Sequence, residues 1–147
     1  TPVPTAEPGP AAAGPDAIEL AVVGAHLSGL PLNRELAGCG ARFLRAVPTA
    51  RDYRLYALPG GSPQRPGLLR VGAGEGAAIE TEVWALSPAA FGRFVAAIPA
   101  PLGIGTLRLA DSTAPKGFLV EPAGLDGAAE ITRFGGWRAY LADRAAA

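Results

Sequence analysis

Residues 76–99 read GAAIETEVWALSPAAFGRFVAAIP, and within them one strand gives way to one helix. From Ala78 to Leu86 the residues alternate. Ile79, Thr81, Val83 and Ala85 fall on one face, and Glu80, Glu82 and Trp84 on the other, because side chains of a strand point to opposite sides in turn. Ser87 then predicts an N-cap and Pro88 the first helical position, where its missing N–H costs nothing. Phe91, Phe94, Val95 and Ile98 follow at the spacing of one helical stripe. Pro99 and Pro101 stop the helix.

Shorter elements surround this pair. IELAVVG, residues 18–24, is a short apolar run ending in glycine, the pattern of a buried strand. GAHLSGLPLN is a loop, and NRELAGCG a short helix with Asn33 as N-cap and Gly38 or Gly40 as stop. ARFLRAVPT, YRLYAL and GLLRV read as further strands. PLGIGTLRLAD reads as a glycine-rich loop running into a strand at Leu107 and Leu109. PKGFLVEP predicts another strand, EPAGLDGA a helical turn, and FGGWRAYLA a last helix. About seven short strands with a few helices make an α+β domain, with a curved or barrel-like mixed sheet and short helices on its flanks.

Composition bounds the function. The chain has 147 residues, with 13 basic and 13 acidic side chains and 49% hydrophobic residues, which suits one domain with a real core. Zero net charge argues against nucleic acid. No apolar run approaches the length of a membrane span, so a cytoplasmic location is expected and no membrane partner. One Cys and one His exclude an internal disulfide and a metal site with ordinary ligands. No cofactor fingerprint is present: neither GxGxxG nor GxxxxGK[ST] occurs. Residues 1–16, TPVPTAEPGPAAAGPD, hold five prolines and predict a linker or disordered tail before a domain at 17–147. The chain contains no Met, and together with the proline-rich opening this suggests a domain cut from a longer polypeptide.

Four places offer chemistry. His26 follows a buried strand in a glycine-flanked turn, where backbone N–H groups can cradle an anion and the imidazole can move a proton near neutral pH; a loop-bonding His is the bland alternative. Lys116 is the single Lys beside twelve Arg, yet a solvated Lys is the usual case. Glu80 and Glu82 share a face, so their repulsion can raise one pKa, although such pairs more often mark a solvated face. The loop from Pro101 to Thr106 has glycines that let backbone approach a ligand.

The blocks VVGAHLSGLPLN, YRLYALPG, PGLLRV, AIETEVWAL, IPAPLGIGTLRLADS, KGFLVEP and FGGWRAYLA occur in an order and spacing that resemble one family from Ile18 to Ala142. It is the C-terminal domain of allophanate hydrolase, a branch of the gamma-glutamyl cyclotransferase-like fold. The resemblance implies a small barrel-like sheet with flanking helices, attached to an amidase domain of the same polypeptide in urea degradation. It implies decarboxylation of N-carboxycarbamate, a small dianion that the amidase releases. Active cyclotransferases carry a catalytic Glu after the helix that follows the long strand. The matching stretch here, FVAAIPAPLGIG, has no acid, which argues against glutamyl cyclisation.

On that resemblance, amides of Gly24, Ala25, His26 and Leu27 hold one carboxylate and His26 delivers a proton. Lys116 holds the second carboxylate. Tyr56 and Thr106 add hydrogen bonds, Gly103 lets the backbone close on the ligand, and Glu82 orients His26 or Lys116. The rival readings are a non-catalytic module that assembles or stabilises the amidase, and a stand-alone protein binding a small anion. Trp137 and Tyr140 have the character of core residues or of a homodimer contact.

Overall fold

A computed structural model of the protein describes residues 15–146. The expected linker therefore lies, but for its last two residues, outside the described residues. The strands are β1 (Ile18–Val22), β2 (Arg42–Ala46), β3 (Tyr53–Ala57), β4 (Pro66–Arg70), β5 (Glu82–Leu86), β6 (Leu102–Thr106), β7 (Lys116–Val120) and β8 (Ala129–Glu130). The helices are α1 (Asn33–Gly38), α2 (Pro88–Ala96) and α3 (Trp137–Ala146). Five strands form a mixed sheet in the order β2-β5-β1-β7-β6, with only β1 and β7 parallel. Three more form an antiparallel sheet, β4-β3-β8. β4 packs against β7 and brings the two sheets together, so the expected α+β architecture with mixed sheets and short flanking helices is what forms.

The core lies between the sheets. Leu20, Val22, Leu55, Leu68, Val83 and Leu107 are buried there, with Trp137 of α3 closing one end. Every residue of β5 is buried, because β1 and β2 flank it in the sheet and both its faces are covered. Ser87 caps α2 as expected, its hydroxyl accepting from the Ala90 N–H, and Pro88 opens the helix.

Three expectations are corrected. The long strand pairs as a ladder only from Glu82. Upstream, the Ile79 and Thr81 carbonyls accept from the Thr49 and Val47 N–H groups, and the Glu80 N–H donates to the Gly135 carbonyl. The glycine-rich stretch after α2 is a strand rather than a loop: β6 pairs residue by residue with β7, and Leu107 lies beyond it. Gly105 serves close packing, since a Cβ there would stand 2.5 Å from the Leu119 side chain, whereas a Cβ at Gly103 would meet nothing within 4 Å. Asn33 does not cap α1. Leu32 holds that position without a side-chain bond, and the Asn33 amide instead donates to the His26 carbonyl at 2.8 Å. Among the described residues no helix is long and apolar enough to cross a membrane.

Candidate functional site

β1 ends at Val22, and the chain turns at once. The Leu27 N–H donates to the Gly24 carbonyl at 3.0 Å and the Leu32 N–H to the Ala25 carbonyl at 2.9 Å. A turn closed this way leaves the N–H groups of its two central residues free. Those residues are Ala25 and His26, and their amides find no acceptor among the described residues. Gly24 is required by packing: a Cβ there would meet the Pro66 ring at 2.6 Å. That contact sets β4 against the end of β1 and makes a wall.

His26 projects from this turn with its side chain 7% exposed. Its ring lies 5.0 Å from Phe94 and 5.6 Å from Phe118, tilted against both. Nε2 is 2.9 Å from a Glu35 carboxylate oxygen. A carboxylate oxygen accepts, so Nε2 carries the hydrogen and Nδ1 the lone pair. Nδ1 has no hydrogen-bond partner among the described residues. Burial pushes the imidazole below an ordinary histidine's 6.5; the bond from Glu35 pulls back, and the charge of Arg65 adds to the push.

Two small cavities meet at this ring. Gly24, Ala25, Pro66 and Leu102 wall one. Glu35, Phe94 and Ile98 wall the other. His26, Arg65 and Phe118 belong to both. Arg65 comes from the segment leading into β4, is partly buried, and forms no ion pair among the described residues. Arg65, the Ala25–His26 turn with its two free amides, and the imidazole thus lie together in the walls of two adjoining, partly open cavities. That donor set suits a small carboxylate anion.

The residues expected from the sequence divide. Gly24, Ala25 and His26 line the cavity. Leu27 is fully buried in the core, and its N–H is spent on the turn. Lys116 and Thr106 pair across β7 and β6, Nζ to hydroxyl at 2.9 Å, on exposed side chains outside both cavity walls. Gly103 and Tyr56 also lie outside them, and Leu102 takes the place beside the cavity that Gly103 was expected to fill. Glu82 contacts neither His26 nor Lys116. One of its oxygens accepts from the Ser28 N–H, the Ser28 hydroxyl and the Trp84 indole; the other pairs with Arg138. Burial works to raise its pKa, but the bonds from Arg138, Ser28 and Trp84 outweigh it and hold Glu82 below the usual carboxylate range, opposite to the expected rise.

Sequence reasoning missed Arg65, Glu35 and Arg138. Glu35 had a usable signal, since a short helix following the His26 loop must pack back onto it. Arg65 had none that separated it from the other arginines. Among the described residues no group of three His, Cys, Asp or Glu side chains stands close enough to hold a metal ion.

The family described as allophanate hydrolase C-terminal domain matches residues 18–142. Urea amidolyase of Saccharomyces cerevisiae is 43% identical over 136 residues, covering 87% of this chain and 7% of that protein. The chain spans about 7% of the length of the curated relatives it matches. The crystallised allophanate hydrolase of Kluyveromyces lactis superposes with a TM-score of 0.82 at 43% identity, over 86% of this chain and 21% of that one. A protein specific to uropathogenic E. coli matches at TM-score 0.78 and 36% identity, over 86% of this chain and 96% of its own. An AIG2-like protein of Mus musculus, at TM-score 0.53 and 16% identity over 74% of this chain and 82% of that one, shares the fold alone.

Proposed function

The chain belongs to the allophanate hydrolase C-terminal domain family, and on that premise we propose that its His26 cavity decarboxylates N-carboxycarbamate supplied by an amidase domain. The observation that carries this reading is Arg65: a partly buried guanidinium without an acidic partner among the described residues, in the walls of both cavities beside the single histidine. A guanidinium free of acidic partners keeps its hydrogen-bond donors available to an incoming carboxylate.

The chemistry follows from charge. The substrate carries two carboxylates on one nitrogen. Arg65 and the Ala25 and His26 amides hold one carboxylate. The empty site keeps the imidazole toward its neutral form. An arriving dianion reverses that push by placing negative charge beside Nδ1, and Glu35 supports the resulting imidazolium through Nε2. The bond between nitrogen and the second carboxyl carbon then breaks, and its electron pair stays on nitrogen. Nδ1–H gives its proton to that nitrogen. Carbon dioxide and carbamate leave. Fixed donors of this kind act without reorganising during the reaction. Arg65 here joins the amides on the first carboxylate, and Lys116, which the sequence suggested for the second, lies outside both cavity walls.

The test pairs this chain with an amidase that generates N-carboxycarbamate and follows carbon dioxide release against the spontaneous rate. His26→Ala should cut the catalysed rate by about a hundredfold, the ordinary share of a positioned acid. An unchanged rate removes His26 from the chemistry. Malonate, with the same two carboxylates, should bind saturably at His26. No malonate binding and no acceleration would instead favour a module that assembles or stabilises the amidase.

A further inference from the structure

The His26 loop is also held by a second polar cluster, three of whose bonds meet on Ser28. The Ser28 N–H and hydroxyl each donate to one Glu82 oxygen at 2.9 Å. The Ser28 carbonyl accepts from Arg138 at 2.6 Å. The same guanidinium pairs with the other Glu82 oxygen at 2.9 Å and with Glu80. All three polar groups of a residue two positions from His26 are therefore fixed by two side chains remote from it in sequence. Glu82 sits on β5 opposite Val22, the last residue of β1. Arg138 is the second residue of α3. Next to Ser28, Gly29 has φ +82°, a conformation in which glycine holds the loop with no side chain of its own to anchor it.

We propose that Arg138 and Glu82 are positioning residues for the anion cavity. Through Ser28 they fix the Gly24–Leu32 loop, and with it the Ala25 and His26 amides and the imidazole. α3 is then a functional part of the site although none of its residues lines a cavity wall. Inside the loop, backbone bonds join Leu27 to Gly24, Leu30 to Leu27 and Leu32 to Ala25, and the Asn33 amide holds the His26 carbonyl, but none of these bonds ties Ser28 down. A shift of the free amides by a fraction of a bond length costs binding, because charge-assisted bonds depend steeply on geometry. The inference deepens the reading of the site as an anion cavity and rests on it.

The test uses the lone histidine, whose imidazole signals need no assignment by elimination. Arg138→Gln frees the Ser28 carbonyl and removes the ion pair. Trp137→Phe, one residue away on α3, perturbs the same helix through the core without touching the cluster. Arg138→Gln should weaken malonate binding by about tenfold, the size of coupling carried by a bonded network, and should shift the His26 imidazole resonances in the absence of ligand. Trp137→Phe should lower the melting temperature while leaving both readouts in place, and Arg138→Lys should restore part of the binding. If Arg138→Gln lowers the melting temperature with unchanged His26 resonances, the cluster is structural and the proposal is overturned. If the wild-type chain binds no malonate, the ligand reading fails separately, and the His26 resonances still decide the positioning role.

Discussion

The Gly24–Leu32 loop meets two polar clusters, one ending on Ser28 and one on His26, that hold the same kinds of group in opposite states. At Ser28, the carboxylate of Glu82 and the guanidinium of Arg138 are paired with each other and with the loop's backbone. At His26, the guanidinium of Arg65 has no acidic partner among the described residues, two amides point at no acceptor, and Nδ1 is bare. Saturated polar groups hold a fold together. Unsaturated ones, gathered together, are where a ligand supplies what the chain does not. The Ser28 cluster is the positioning half of the proposed site and the His26 cavity its binding half, and each can be broken separately.

The largest effect should come from the saturated cluster. Glu82→Ala leaves the Ser28 N–H and hydroxyl and the Trp84 indole without their acceptor and takes from Arg138 one of its two carboxylate partners, Glu80 remaining. Removing one member of a buried ion pair typically costs 3–5 kcal/mol, and the partial exposure of Arg138 brings this to about 3 kcal/mol. A denaturant titration of Glu82→Ala against wild type measures it. A loss under about 1 kcal/mol, the worth of an exposed pair, would mean the cluster is not holding the loop and would blur the contrast between the two clusters.

The unsaturated cluster should show the reverse pattern. Arg65→Gln removes no ion pair, so stability should change by less than about 0.5 kcal/mol, as for surface sites without special features. Malonate affinity should fall about twentyfold, the worth of one charge-assisted hydrogen bond. Calorimetry of the two ligand titrations reads this directly. Lys116→Ala is the sharper half of the experiment. Its ammonium bonds only the exposed Thr106 hydroxyl, and its loss should change affinity by less than about twofold. An equal loss from both variants would return Lys116 to the site the sequence suggested.

Where the sequence was readable, local rules decided the structure. Ser87-Pro88 at the head of α2 is a capping signal complete within four residues. The turn after Val22 announces itself by glycines around a histidine. Where it was not readable, the deciding contact joined distant segments. Glu82 and Glu80 look alike on an alternating strand. Only the fold shows that Ser28 and Arg138, 54 and 56 residues away, bury one and neutralise it. Arg65 is one arginine of twelve, and its meaning comes from β4 packing Pro66 against Gly24. β6 was hidden because its two glycines signal a loop locally, although Gly105 serves close approach to Leu119. The separation of Lys116 from His26 is also a fact of register: Lys116 lies at the start of β7, two residues before Phe118, which reaches the ring.

The smallest expected effect is the pH response of His26, and its sign separates the empty cavity from the filled one. In the folded chain, burial and Arg65 hold the imidazole below 6.5. The unfolded chain therefore binds a proton first as pH falls. The stability contributed by keeping His26 neutral is complete above the unfolded value near 6.5 and is lost as pH falls from there through the depressed folded value. The lone imidazole, titrated by NMR, should give this lowered midpoint without ligand. Saturating malonate should move the midpoint upward, because an anion beside Nδ1 favours the charged ring. By linkage, malonate should bind more tightly as the solution is acidified through that midpoint. An unmoved midpoint under saturating malonate would place the bound anion away from Nδ1 and leave Arg65 as the binding group without His26 as the acid.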